Sequence, residues 1–317
     1  MSNGLRALDR VEILTLIDNY VDLLLPGTDV VIRPPRGDKS PTDTLLAEHG
    51  LSLLITVFEG EERHTVLFDT GYTKIGVPYN LERLGLGLNG VEAIVVSHNH
   101  RDHTGALYPL LEKIGRPIPL FVHPDAFAFP RYMGQGDGEK RPIPRTLIRA
   151  DLEAQGVEIR ETKNPTLLAA GMIMVTGQVE RVTSFEKGMP NALVERNGRV
   201  EKDHLLDDQS LVVHLKNRGL VIISGCSHSG IINTILYARK ISGEEEVHAV
   251  VGGFHLSGAA FEPILEDTVA SLKNFSPKII APMHCTGWVA MQRLSREFPD
   301  AFILNSVGSK IVLSQDI

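Results

Sequence analysis

The sequence predicts a layered, mixed α/β fold, and three observations carry that prediction. Short apolar runs rich in β-branched residues recur from Val11 to Leu313. Segments of helical composition separate many of them, as between Val91–Val96 and Ile118–Val122. Two pairs of runs are joined by turn-forming residues, Glu59-Gly60-Glu61-Glu62 and Asn217-Arg218-Gly219, which read as hairpins. Alternation of this kind packs as sheets with helices on their faces, and no linker divides the chain.

The order of elements follows from local pattern. Val11 to Leu16 alternates as a first strand and stops at Asp18-Asn19. Val30 to Arg33 is a short strand before the loop Pro34-Pro35-Arg36-Gly37-Asp38-Lys39. The hairpin Leu51–Phe58 and His64–Phe68 ends in Asp69-Thr70-Gly71. Leu81–Leu86 is a short helix candidate despite Gly85, and Ala93–Val96 is a buried strand. Ala106–Ile114 follows as a helix and Ile118–Val122 as a strand.

From Phe127 to Leu147 periodicity is lost in favour of Gly, Pro and charge, so this stretch reads either as an insertion beside the functional cleft or as a disordered surface excursion. The second half supplies strands at Gly171–Thr176, Ser210–Leu215, Leu220–Ser224, Val247–Val251 and Lys278–Pro282. Helices are expected at Ile231–Ile241 and Glu262–Phe275, with short strands at Ile303 and Ile311–Leu313 closing the chain.

Bulk properties exclude several classes. A chain of 317 residues with 43% hydrophobic and 22% charged content is ordinary for a globular protein with a sizeable core. A net charge of −7 without a compensating basic stripe argues against a nucleic-acid partner. No apolar run reaches the length of a membrane span, and Met1 to Arg10 lacks the apolar segment of a secretory leader. Two cysteines, Cys226 and Cys285, build no disulfide framework, so the cytoplasm is the expected compartment.

The chemistry concentrates after the Ala93–Val96 strand, in Ser97-His98-Asn99-His100-Arg101-Asp102-His103-Thr104-Gly105. In extended chain, residues two apart point the same way, so His98 and His100 can grip one metal ion. Asp102 and His103 follow once the chain turns and could hold a second. Neutral imidazole with carboxylate suits borderline divalent ions: zinc first, with manganese or iron as alternatives, one or two ions in all. His228 and His284 share this setting, each placed just after a predicted buried strand, and are further ligand candidates. His255, in a tighter glycine setting, reads as substrate-facing or metal-adjacent.

The His-x-His-x-Asp-His signature between a strand and a helix resembles the dinuclear metal motif of the metallo-β-lactamase-fold hydrolases. That resemblance implies a four-layer αββα sandwich, one domain over residues 1–317, with the metal site in a cleft at one edge of the two sheets. It implies that Asp69 supports a ligand histidine. On this resemblance the Gly-His-Thr turn that usually brings a third histidine has become Thr176-Gly177-Gln178, and His228 is read as the replacement imidazole. Cys226 stands where a metal-bridging aspartate is expected, either as a thiolate ligand or as a small buried thiol. Cys285 is expected to point away from the metal if His284 points in, and Trp288 reads as a wall or lid.

The runs Thr176–Arg181, Asp207–Leu211, Gly225–Asn233, Gly252–Leu256 and Met283–Gly287 resemble one branch of that superfamily. The branch is named for 7,8-dihydropterin-6-ylmethyl-4-(β-D-ribofuranosyl)aminobenzene-5′-phosphate synthase. On this resemblance Gln178 and Arg181 join Asp69 and His255 as supporting or substrate-facing residues. The branch name implies a transferase that displaces diphosphate from a pterin-methyl diphosphate.

Three functions follow. The first is a hydrolase using metal-activated water on a small phosphoester, lactone or thioester, with Asp102 binding metal and orienting the hydroxide. The second is the transferase, and the third a metal or redox sensor. The expected partner is a small molecule, with a homo-oligomer possible. Arg33, Arg36, Lys39, Lys140, Arg141 and Arg145 are candidates for gripping a phosphate.

Overall fold

Apolar runs that are hydrophobic at every position need cover on both faces, and the computed structural model provides it. It describes residues 4–35, 44–135 and 138–316. One eight-stranded sheet runs Glu158–Glu161, Pro119–Val122, Val91–Val95, Glu62–Phe68, Ser52–Glu59, Arg10–Ile17, Lys310–Ser314 and Val31–Ile32. A seven-stranded sheet runs Thr166–Leu168, Ile173–Val175, Leu211–Leu215, Gly219–Ser224, Val247–Gly253 and Ile279–Met283, with Ala7–Leu8 paired to Leu211–Leu215.

Side-chain alternation then sorts the core into three layers. Ala93 and Val95 of one sheet meet Val221, Ile223 and Val251 of the other between the sheets. The alternate residues Ile94 and Val96 turn outward under the helices Gly76–Arg83 and Leu107–Ile114. Leu220, Ile222 and Val250 do the same under Ile231–Ser242, Leu265–Phe275 and Trp288–Glu297. The fold is therefore an αββα sandwich.

Strand direction decides where chemistry can gather. Glu62–Phe68, Val91–Val95 and Pro119–Val122 are parallel, as are Gly219–Ser224, Val247–Gly253 and Ile279–Met283. Parallel strands all finish at the same edge of their sheet. The turns after Phe68, Val95, Ser224, Gly253 and Met283 thus meet at one end of the sandwich.

Several expected elements need correction. The helix expected at Leu81–Leu86 runs instead over Gly76–Arg83, because Val77 and Leu81 bury one helical face and Gly85, at φ 66°, takes the chain out of the helix. Ile303 forms no strand; its neighbour Phe302 makes a single bridge to Ile280. The Phe127–Leu147 stretch is not irregular throughout. Arg131–Gly134 and Lys140–Pro142 pair there and join a later hairpin, Ala192–Arg196 with Arg199–Lys202, in a four-stranded sheet. Partners from distant sequence and largely exposed strands hid this sheet from pattern reading. Part of the loop expected at Pro34–Lys39, and Gly136-Asp137, lie outside the described residues.

The small sheet is anchored by Arg131, only 1% exposed. Its guanidinium reaches Asp207 Oδ1 at 3.0 Å, Asp203 Oδ2 at 3.1 Å and the Asn99 side-chain oxygen at 2.6 Å. Removing one member of a buried ion cluster leaves the others uncompensated. Arg131→Met is therefore expected to lower unfolding free energy by about 3–5 kcal/mol. Urea denaturation at unchanged slope measures this; a loss below about 1 kcal/mol would place the cluster in effective contact with water.

Candidate metal centre

His98, His100 and His228 converge at the mouth of the cleft. His98 Nε2 lies 3.0 Å from His100 Nδ1 and 3.1 Å from His228 Nε2, and the last pair is separated by 3.2 Å. Three imidazole nitrogens cannot satisfy one another in a triangle, because each hydrogen bond needs one proton and one lone pair. Nitrogens bound tetrahedrally at zinc distances would stand about 3.3 Å apart, which is close to this spacing. Burial drives the imidazolium forms of His98 and His228 far out of reach, and it lowers the His100 pKa to about 4. All three are lone-pair donors at neutral pH.

A second group lies beside the first, made of Asp102, His103, Cys226 and His284, whose donor atoms all fall within 4.8 Å of one another. His284 Nε2 is 3.2 Å from Asp102 Oδ2, and the Cys226 sulfur is 3.1 Å from His103 Nε2. Burial opposes charge on Asp102, but His103 and His284 outweigh it and hold the carboxyl well below its ordinary range. Burial likewise opposes charge on His103, yet the Asp69 and Asp102 carboxylates raise its pKa to about 9. Burial pushes the Cys226 thiol up, so its thiolate needs a cation beside it. Cys226 also groups with His228 and His255, which places its sulfur between the two sets. Both sets thus have the donors and spacing that a divalent ion takes.

Supporting residues hold these donors from behind. Asp69 is fully buried and accepts from Ser97 N at 2.7 Å, Ser97 Oγ at 2.7 Å and His103 Nδ1 at 2.6 Å. It thereby fixes the His103 tautomer with Nε2 facing the cleft. Asp208 accepts the backbone N–H of Ser229 at 2.8 Å and so shapes the His228 turn. Asp207 accepts Asn99 N at 2.9 Å within the His98–His100 turn. Asp18 accepts His284 N at 2.9 Å, and Asn19 Oδ1 lies 3.1 Å from His284 Nδ1. Asp69, Ser227, His255 and His284 all have positive φ, a conformation costing about 1–3 kcal/mol each that surrounding structure must hold in place.

A cavity of about 370 Å³ opens onto the two groups and is lined by His100, Asp102, Cys226, His228 and His284, and also by Asn19, His49, His255 and Cys285. The His255 ring packs against that of His228, tilted by 54° with centroids 4.3 Å apart. Gln178 and Arg181 do not line this cavity: the Gln178 backbone N–H donates to Lys163 O and the Arg181 guanidinium to His204 O. Their turn is held by strand-edge backbone bonds that tie it to Lys163 and Ser210 rather than to the histidines. The expectation for Cys285 is also corrected. Its sulfur lies 3.6 Å from Cys226 O and shares the cavity, because the turn His284–Thr286 brings both side chains to the cleft.

Among the basic candidates, Arg33 is committed to Pro26 O, Ser309 Oγ and Leu304 O. Arg36 and Lys39 lie outside the described residues. Lys140 sits over the Tyr132 ring and Arg145 over Phe129. Among the four that are described, Arg141 alone shares a cavity with His100 and Asp102, where Arg101 joins it. Sequence reading overlooked His49, Arg101, Asp18 and Asn19. The signal for Asp18-Asn19 lies in their place directly after a strand, the position that Asp69 also holds.

Comparison with known proteins agrees with this geometry. The profile of the metallo-β-lactamase superfamily matches residues 47–183. A 7,8-dihydropterin-6-methyl-4-(β-D-ribofuranosyl)-aminobenzene-5′-phosphate synthase from Methanocaldococcus jannaschii is 33% identical over 302 residues, 93% of this chain and 94% of the relative. An uncharacterized protein of the same organism, MJ0448, is 34% identical over 86% of this chain and 97% of its own length. The crystal structure of Tm1679, a metal-dependent hydrolase of the β-lactamase superfamily, superposes with TM-score 0.73 at 26% identity, covering 96% of this chain and all of that one. The chain belongs to the metallo-β-lactamase superfamily, whose members usually bind divalent metals, and within it resembles the synthase branch. No helix among the described residues is long and apolar enough to cross a membrane.

Two outcomes follow. The double substitution His98→Ala with His100→Ala should remove most bound metal from protein purified without chelator, while circular dichroism shows it folded; unchanged metal content would break the assignment. In metal-free protein, the depressed imidazoles make stability fall as pH drops from about 6.5 toward about 4, since the unfolded chain binds those protons first. His103 acts in the opposite sense: the stability it adds below about 6.5 is lost as pH rises through about 9. Melting of chelator-treated protein should peak near pH 6.5, and a flat profile from pH 4.5 to 9.5 would contradict both directions, these being about the limits of the linkage.

Proposed function

We propose that the protein is a metal-dependent hydrolase of a small phosphoester, lactone or thioester. The observation that carries the reading is a cavity onto which both donor groups open, with the ionised Asp102 on its wall. His98, His100 and His228 would hold one ion, and Asp102, His103, His284 and Cys226 a second. Bound there, a divalent ion, zinc in the first instance, supplies a Lewis acid and a water acidic enough to ionise near neutral pH.

The chain's own groups do the rest. Asp102 is an acceptor only, so it orients an attacking water by taking its hydrogen bond. Asp69 holds the proton on His103 Nδ1, so Nε2 is the nitrogen that would give up its proton to an arriving ion. Burial works against a charged His255, but the Cys285 thiolate and the Asp208 carboxylate outweigh it and raise its pKa, so this ring can hold a proton for a departing oxygen or sulfur. Arg101 and Arg141, in the cavity shared with His100 and Asp102, would receive an anionic group of the substrate.

The synthase relative supports a second reading, a transferase expelling diphosphate, because its likeness extends over nearly the whole chain. Release of inorganic diphosphate from a pterin-methyl diphosphate, dependent on an aminobenzene acceptor, would favour that reading over hydrolysis. A screen of phosphodiesters, lactones and thioesters tests the first. With any substrate so found, Asp102→Asn should cut kcat about a hundredfold or more and leave KM within a few-fold. A kcat within a few-fold of the parent would remove Asp102 from the chemistry.

A further inference from the structure

Beside the donor cavity lies a second one of about 320 Å³, with a different character. It shares Asn19, His284 and Gly287 with the first, so the two adjoin at the His284 turn. Its walls are Tyr20, Met283, Trp288, Met291 and Leu304. Trp288 is the chain's one tryptophan and is 68% exposed, with Val289 beside it at 53%. Both open the helix Trp288–Glu297, whose Ala290 and Leu294 face the core, so amphipathic packing does not account for the indole. An exposed tryptophan at the entrance of a ligand cavity is a contact surface awaiting a flat apolar partner.

The polar groups at the base of this cleft are already engaged. Asn305 Nδ2 donates to Asp18 Oδ2 at 2.8 Å, Asp18 Oδ1 takes the N–H groups of Asn19 and His284, and Tyr20 Oη donates to Asp22 at 2.8 Å. What remains open to a ligand is the aromatic and thioether surface, and sulfur packs well against ring edges. The volume falls within the range of small-molecule sites, about 300–1,000 Å³.

We infer that the Tyr20–Trp288–Met291 cleft binds a planar aromatic ring, and that the substrate carries such a ring on the side of its reacting bond nearest His284. The ring site stands on its own geometry; its connection to a reacting bond rests on the hydrolase reading above. The structure thus divides recognition between a polar end, facing the donor groups and Arg141, and a flat apolar end held by Trp288. Substrates with small aliphatic groups would leave the indole in water and bind more weakly.

The probe is 6-methylpterin, a fluorescent bicyclic heteroaromatic without phosphate. Its anisotropy is followed as protein is added, and Trp288 emission is read in parallel against free N-acetyltryptophanamide to correct for absorption. Saturable binding with quenching of Trp288 is expected. Trp288→Arg, at an exposed position that folding does not depend on, should weaken it about tenfold or more, as should Met291→Lys. The His98→Ala with His100→Ala variant should bind the probe like the parent.

No saturable binding up to about 1 mM, equal affinity in Trp288→Arg, or loss of binding in the double-histidine variant would each overturn the assignment. Intact probe binding in a protein that turns over no ester, lactone or thioester would defeat the hydrolase reading and leave the ring site standing.

Discussion

A buried carboxylate needs several donors to replace water, and Asp69 finds all of its donors in the metal motif. It accepts from Ser97 twice and from His103 once, so burying this one anion obliges the turn after Val95 to fold back beneath it. The same contact sets how closely the two sheets approach. A Cβ at Gly225 would stand 2.2 Å from Ser97 Oγ and 3.0 Å from Asp69 Oδ2, which is why glycine precedes Cys226. Asp69 therefore aligns His103, and the room it denies at Gly225 carries Cys226 to within reach of it.

Three consecutive residues perform the complementary task for the rest of the cleft. Asp207 secures Asn99 and Arg131, Asp208 secures the His228 turn, and Gln209 donates to Val96 O at 2.8 Å while its own N–H bonds Ser97 O at 3.0 Å. This run leads into the strand Leu211–Leu215 of one sheet and bonds the strand-end turn of the other. Because all three side chains are buried, their hydrogen bonds are made at low local dielectric and tolerate little displacement. Donors on separate sheets are thus held to ångström tolerances by groups that touch no substrate.

The layered fold was legible because each central strand is apolar on both faces, a pattern that only a covered sheet explains. The position of the His98–His103 cluster after such a strand was legible for the same reason. Harder to see were partnerships across long sequence distance. Arg131 looked like one more charge in a Gly/Pro-rich stretch, and nothing local marks Asp203 and Asp207 as its partners. Gln178 and Arg181 were singled out by family resemblance alone, and the turn that bears them is tied to its own sheet edge. Cys285 was judged from alternation after His284, but a 3₁₀ turn there replaces the extended chain on which alternation depends.

The donors come from turns of both sheets, from His98 in the first third of the chain to His284 near its end. Two of the groups, His98 with His100 and His228, and Asp102 with His103, Cys226 and His284, each take donors from both halves of the chain, so an ion held by either would bind only the closed sandwich. A ligand exclusive to the folded state adds about 2.7 kcal/mol when present at a hundred times its dissociation constant. Occupancy would therefore set how often the chain opens to proteases. A cell starved of the ion would hold less of this protein, through faster turnover of the chain itself, before any change in its synthesis.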